Sequence, residues 1–273
     1  MLILNNINYN MKTAILFLAH FVDDSTVYKF NKLKIELSDR YDIFWAFQGD
    51  NGADGSRLER EKIVPFVFTL EQLNSLDYSP IYERLYGSEH FIAELFYHTH
   101  PEYDYFWIME YDVIFTGNWN IFFDAFYDNN ADMLSSHISL RNSENWNWCW
   151  WSTLTFDEED HVEETSWVKS FNPIYRISKK ALAFLDIFLK KENNKGFYEV
   201  IIASALYNNG FRLEDFGGTG PFVAEGNRNR FYVQGTGINH GTMRWRPDFS
   251  AEEIKALGTR NKLFHPLKKE FCE

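Results

Sequence analysis

The chain has 273 residues, enough for one large domain or two small ones with a buried core. Charged residues make up 24% and hydrophobic ones 45%, the balance of a folded globular protein and not of a disordered chain. Lys and Arg number 27 against 39 Asp and Glu, a formal net charge of −12, which leaves no basic footprint for holding nucleic acid by its phosphates.

In chain order, Met11-Lys12 offers an alternative start that would make residues 1–10 an extension. Thr13–Ala19 reads as a first strand. Its apolar run is too short to span a bilayer, Asp23-Asp24 follows soon after, and the features of a signal peptide are poorly met. Ser25–Leu37 has Val27, Phe30 and Leu33 at helical spacing, and Tyr41–Phe47 is a second strand that runs into the turn-rich Gln48–Gly52. Ile63–Phe68 is a third strand and Ser88–His98 a helix with Phe91, Ile92, Leu95 and Phe96 on its apolar side. Tyr105–Met109 is a fourth strand, apolar almost throughout, as a central strand covered on both faces should be. Strands alternating with helices predict an α/β fold with a mainly parallel sheet, and in such sheets ligands bind beyond the carboxyl ends of the strands.

The fourth strand ends in Glu110-Tyr111-Asp112. In an extended segment Glu110 and Asp112 project to the same side and Tyr111 to the other. Two carboxylates leaving a buried strand repel unless a cation or hydrogen-bond donors lie between them, and Mg²⁺ or Mn²⁺ suits an oxygen-rich site that also holds phosphates. The plain alternative is the start of a solvated loop.

The stretch from Tyr103 to Gly117, with its Glu-x-Asp followed by Thr116-Gly117, resembles glycosyltransferases of the GT-A fold. It is also similar to the corresponding stretch of a poorly characterised, largely fungal glycosyltransferase-like family. The resemblance implies a GT-A-like, Rossmann-like sheet in a single domain over residues 1–273, with a nucleotide-sugar-binding half over about 11–117 and an acceptor-binding half over about 118–273. By the same resemblance Asp112 holds a metal on the diphosphate of a nucleotide-sugar, and Glu110 binds the ribose or shares the metal. Glu110 departs from the Asp-x-Asp of the GT-A pattern, whereas the fungal family has Glu-x-Asp there.

Two more patches extend the resemblance. Asn172–Ser178 followed by Lys179–Leu189 is similar to the strand and helix of the acceptor side, and Glu199 matches the Glu of an x-Glu-Asp motif opening a helix. Val200 stands where that motif has Asp, a second departure. Glu199 is therefore the candidate base toward the acceptor hydroxyl, against the simpler role of a carboxylate at a helix N-terminus. Glu214-Asp215 is a competing acidic pair. Near the C-terminus, His265 fits a late histidine metal ligand and Lys268 a diphosphate contact, with His240 as competitor. An imidazole ligand tilts the metal toward Mn²⁺. His98 and His100 belong to a helix-to-strand connection and are poor ligands on this reading.

His20 at the end of the first strand and Asp50 at the end of the second are expected near the nucleoside. No glycine-rich phosphate motif is present, and Gly217–Gly220 is expected as a flexible loop over the donor. In Asn145–Trp151 four tryptophans fall in six positions. If extended, Trp146, Trp148 and Trp150 share one side as a platform for an acceptor sugar, the alternative being core packing. Asp157–Glu164 reads as a solvated acidic loop.

The expected function is a metal-dependent transferase moving a sugar from a nucleotide donor, a UDP-sugar favoured over a GDP-sugar, to a glycan, lipid-linked or other hydroxyl acceptor, with surface polysaccharide synthesis as a setting. The alternative is a non-catalytic GT-A-like or lectin-like glycan-binding module. A nucleotidyltransferase would want a glycine-rich basic loop where Phe21-Val22-Asp23-Asp24 stands. Cys149 and Cys272 are too few for a disulfide framework and suit a reducing compartment. A cytoplasmic protein is expected, without a transmembrane segment and at most peripheral at a membrane. Oligomeric state and stereochemistry are not readable from these residues.

Overall fold

In the computed structural model residues 11–82, 85–235 and 239–269 are described. The ten residues before Met11, Ile238 and Cys272 lie outside them. The chain runs β1 (Thr13–Leu18), α1 (Asp24–Leu37), β2 (Asp42–Gln48), α2 (Ser56–Arg60), β3 (Pro65–Phe68), α3 (Leu70–Asn74), α4 (His90–Thr99), β4 (Tyr105–Glu110), β5 (Ile114–Phe115) and α5 (Trp119–Asp124). It continues through β6 (Met133–Leu140), β7 (Val168–Ser178), α6 (Lys179–Phe188), α7 (Tyr198–Asn208), β8 (Leu213–Asp215), α8 (Ala251–Leu257) and β9 (Leu263–Phe264).

One sheet takes strands from both halves of the chain in the order β3-β2-β1-β4-β7-β6-β8. Strand β7 is antiparallel to β4 and β6, and the other pairings are parallel. This is the mostly parallel, helix-flanked α/β sheet that the alternation of elements predicts. Side-chain alternation divides the core: Ala14, Leu16, Phe106 and Ile108 pack under α4, α6 and α7, while Ile15, Phe17, Trp107 and Met109 pack under α1 and α5. A separate two-residue antiparallel ladder joins β5 to β9 and brings the C-terminal segment beside the end of β4.

Local chemistry fixes the elements next to that end. Helix α1 starts in a capping box, with Asp23 Oδ1 accepting from the Thr26 amide at 2.8 Å and Thr26 Oγ1 from the Asp23 amide at 2.9 Å. Helix α7 is buried on all sides from Tyr198 to Leu206, which makes it an internal helix. Strand β6 bulges around His137, which has φ +52°, and its pairing with β7 shifts there. The groups freed by the bulge are met by side chains: Tyr232 Oη accepts from the His137 amide at 3.0 Å and Asp215 Oδ2 from the Ile138 amide at 3.0 Å.

Two expectations are corrected. Gly217–Gly220 is no flexible cover at its start, since Gly217 and Gly218 are buried and donate to Asp215 Oδ1 at 2.9 and 3.0 Å. A Cβ on Gly218 would lie 2.2 Å from Tyr232 Oη, so the glycine is there for close packing. The tryptophan segment is not extended: turns lead into a 3₁₀ helix over Cys149–Thr153. Trp146, Trp148 and Trp150 therefore do not share a face. The acidic stretch from Asp157 is mostly exposed and is held by Asp160, which accepts from Lys191 at 2.8 Å and Asn194 at 2.7 Å. Glu214 and Asp215 lie within β8. Among the described residues no helix is long and apolar enough to cross a membrane.

His90, in α4, is 4% exposed, and neither ring nitrogen has a hydrogen-bond partner. Burial pushes its pKa down to about 3, so the unfolded chain takes up a proton that the native state refuses. Its contribution is present above about pH 6.5 and is lost as pH falls toward 3. His90→Phe should therefore retain about 2 kcal/mol more of its pH 7.5 stability at pH 5 than the wild type does. Urea unfolding of both proteins at the two pH values checks this.

Candidate functional site

Glu110 closes β4 and Asp112 follows two residues later, so both carboxylates leave the sheet at its ligand-binding end. Tyr111 turns the other way and packs edge-on against Phe21, with ring centroids 4.9 Å apart. The C-terminal segment crosses over this point: the Leu267 amide donates to the Asp112 carbonyl at 2.7 Å, and the buried Lys29 Nζ donates to the Leu267 carbonyl at 2.6 Å. That crossing places His265 Nε2 3.4 Å from Asp112 Oδ1 and 3.5 Å from Glu110 Oε2. One ligand atom from each of the three residues lies within 4.8 Å of the others.

The donor set fits a hard or borderline divalent cation, with two carboxylates and one imidazole. Asp112 Oδ1 is buried without a hydrogen bond. His265 Nδ1 lies 2.8 Å from the Arg244 carbonyl, which can only accept. Nδ1 therefore carries the hydrogen and Nε2 faces the carboxylates, the arrangement in which a backbone carbonyl orients a ligating histidine. Tyr198 Oη donates to Glu110 Oε1 at 3.0 Å and leaves Oε2 toward His265.

Charges in this space are strongly coupled. Burial works against charging His265, yet Asp112 and Glu110 outweigh it and lift the imidazole to about 10. Burial also works to raise Asp112, and the neighbouring His265 keeps it below the ordinary carboxylate value. A divalent cation taking the Nε2 lone pair displaces a proton from the imidazole.

A cleft of about 180 Å³ opens over the cluster. Glu110, Asp112, His265, Glu199, Lys268 and Trp150 all line it. Glu199 is the second residue of α7, whose first turn is tied to β7 by Asn172 Nδ2 donating to the Tyr198 carbonyl at 3.3 Å and Ser170 Oγ to the Glu199 carbonyl at 3.3 Å. Burial raises the Glu199 carboxyl to about 8, the Glu110 charge adds to the rise, and Lys169 opposes it. Val200 is fully buried in the core, so of the two adjacent positions only Glu199 lines the cleft. Trp150 stacks on Phe197 with ring centroids 3.8 Å apart and forms part of the cleft wall.

The other expected residues lie elsewhere. His20 is exposed at the end of β1, its ring against Phe21 and Tyr111, outside the cleft lining. Asp50 is exposed and engaged in its own turn, where it accepts from Gln48 Nε2 at 2.9 Å and the Leu70 amide at 2.8 Å. Trp146 is 64% exposed, and Trp148 lines a second cleft. His240 is exposed and apart from the cluster, His98 pairs with Asp186, and His100 stacks on Phe96.

Sequence reading missed Glu89, Tyr198, Trp245 and Arg246, all of which line the cleft. Burial lifts Glu89 to about 8, and its Oε2 has no hydrogen bond. It precedes α4, where the apolar pattern draws attention to the helix face and not to its first residue. Arg246 and Lys268 both pair with Asp248, Lys268 at 3.5 Å, and so bring two cations to the cleft rim. The Trp245-Arg246-Pro247 run was the available signal for that rim.

A family model described as a protein of unknown function (DUF3405) matches residues 66–143. No curated protein matches the chain. Among solved structures, the chain is similar at 8% identity to 4-diphosphocytidyl-2C-methyl-D-erythritol synthase from Anaerococcus prevotii, covering 76% of this chain and 86% of that one with a TM-score of 0.43. It is similar at 14% identity to the mannosyltransferase Ktr4p from S. cerevisiae in complex with GDP, covering 74% and 69% with a TM-score of 0.42. Core-mannan synthase A from Aspergillus fumigatus, in its Mn/GDP form, gives 13% identity, 76% and 73% coverage and a TM-score of 0.38.

Tyr198 would act on a cation held at this cluster only through Glu110. Tyr198→Phe should weaken Mn²⁺ binding about tenfold without removing it, whereas Asp112→Asn should remove it. Electron paramagnetic resonance titration of free Mn²⁺ against each folded variant measures both.

Proposed function

We propose that the chain is a divalent-metal-dependent glycosyltransferase that takes a nucleotide-sugar donor and a hydroxyl acceptor. The observation that carries the reading is the Glu110–Asp112–His265 cluster at the end of β4, sharing one cleft with Glu199 and the cations Arg246 and Lys268. Carboxylates alone would suit many loops. Carboxylates, an oriented imidazole and two rim cations around one concave space suit a metal-bound diphosphate.

The metal, when bound, neutralises charge on the leaving diphosphate. Asp112, Glu110 and His265 Nε2 would hold it. Lys268 and Arg246 would exchange their contact with Asp248 for phosphate oxygens, Arg246 with the forked geometry that phosphate favours. Glu199, lifted by burial toward neutral pH, is the proposed base that takes the acceptor hydroxyl proton. Glu89, similarly raised, is the second carboxyl within the same walls. The expected preference for a UDP-sugar over a GDP-sugar finds no support in the residues described around the cleft. Uridine and guanosine donors are therefore tested together.

Calorimetric titration of UDP and GDP with and without Mn²⁺ should give metal-dependent binding of one nucleotide. Asp112→Asn should abolish it, and the double change Arg246→Ala with Lys268→Ala should weaken it at least tenfold. Absence of nucleotide binding under every condition would overturn the transferase reading and leave the glycan-binding alternative.

A further inference from the structure

A second cleft, of about 740 Å³, adjoins the first, and Phe171 stands in the wall of both. Strand β7 connects them. Lys169 lines the second cleft, Phe171 both and Pro173 the first, while Ser170 and Asn172 bond the backbone of α7. This is the period-2 alternation of a strand, so one row of side chains about 13 Å long runs between the clefts.

Lys169 is the unusual member of that row. Lys169 is part-buried, its ammonium lies 4.0 Å from the centroid of the Trp148 ring, and it has no hydrogen bond or ion pair among the described residues. The anions that face it are Glu199 and Asp215. The Asp215 oxygens are already taken by the Gly217, Gly218 and Ile138 amides and the Tyr232 hydroxyl. Glu144, also on the lining, is exposed at the rim. The Trp148 indole Nε1 is buried and has no acceptor. The Lys169 ammonium, set against the Trp148 ring, is thus a cation on the cleft lining without an acceptor, while the indole N–H is closed off from the cleft. A ligand that meets the ammonium best carries negative charge.

We propose that the second cleft is the acceptor site and that it takes a sugar bearing a carboxylate or a phosphate, with the anionic group on the Lys169 ammonium that the Trp148 ring positions. That it is the acceptor site rests on the glycosyltransferase reading. That it binds an anionic sugar does not. The side-chain NH₂ groups of Asn142 and Gln234 on the lining would donate to sugar hydroxyls, whereas the Asn145 amide is taken by Ser139, Leu140 and Asn142.

The test is calorimetric titration of the full chain in EDTA-containing buffer, so that no bound cation can hold the anion. Two pairs of probes differ only in charge: digalacturonate against its dimethyl ester, and glucose 6-phosphate against glucose. The charged member of at least one pair should bind at least tenfold more tightly, and the pair that responds tells carboxylate from phosphate. Lys169→Met should erase the difference with its melting temperature retained, and Trp148→Phe should reduce it. If Lys169→Met does not fold, Lys169→Arg should keep the preference and Trp148→Phe should still reduce it. Equal affinity within both pairs, binding of none of the four probes, or a preference that survives in folded Lys169→Met or is unchanged in Trp148→Phe would overturn the proposal. Mn²⁺-dependent UDP or GDP binding is measured separately on the same protein. Nucleotide binding without anion preference overturns this inference alone, and anion preference without nucleotide binding overturns the transferase reading and with it the acceptor role, leaving the anionic-sugar site.

Discussion

The architecture around the site is governed by one electrostatic constraint: two carboxylates leave the buried strand β4 two residues apart and need positive charge between them. The chain supplies it from its far end. Strand β9 pairs with β5, the His265 amide donates to the Thr242 carbonyl at 2.9 Å, and the Arg244 amide donates to the His265 carbonyl at 3.1 Å. His265 is thus held by backbone on both sides before its ring meets Glu110 and Asp112. Lys29 closes the arrangement from α1 by bonding the Leu267 carbonyl. Burial lowers this lysine to about 8, and Asp112 and Asp23 work against that fall. The desolvation cost of an interior lysine is offset by the segment it secures.

How much of this could be read from the sequence depends on the range of the interaction. The strands and helices flanking β4 follow from local periodicity and match within a residue or two over β1, α1, β2 and β4. Glu110 and Asp112 were singled out by their place at the end of a buried strand, and His265 and Glu199 through the family resemblance; all four line one cleft. Arg246, Glu89 and Tyr198 were not singled out, because each is brought to the cleft by tertiary contact and none carries a distinctive spacing. The tryptophan segment misled for a related reason. Its alternation is that of a strand, but Trp151 is buried with its Nε1 donating to the Asn145 carbonyl at 2.8 Å, and this closes the chain into turns. Gly217–Gly220 misled because glycine serves close packing as readily as mobility, and Tyr232 decides between them.

The two departures from the GT-A pattern have different physical standing. Glu110 is one methylene longer than Asp, and Tyr198 takes one of its oxygens, which leaves a single oxygen toward His265. The longer side chain is thereby restricted in the way a shorter one would be by length. Val200 faces the interior, where an aspartate would bury an unpaired charge among apolar side chains at a cost of several kcal/mol. Valine there is what the packing of α7 demands, and the carboxyl that reaches the cleft is the one beside it.

The charge distribution sets a condition on the proposed anion sites. With a net charge of −12 the long-range field repels anions. The cations that would hold an anion are consequently local: the exposed Arg246 and Lys268 at the rim of the first cleft, and the part-buried Lys169 on the lining of the second. In a part-buried position a unit charge acts more strongly over a few ångströms than the same charge on an exposed surface. Bulk repulsion and local attraction then act on different length scales. Salt screens the distant carboxylates more than it screens a part-buried ammonium in contact with its ligand, so an anion seated in either cleft would feel the local charge more than the bulk repulsion.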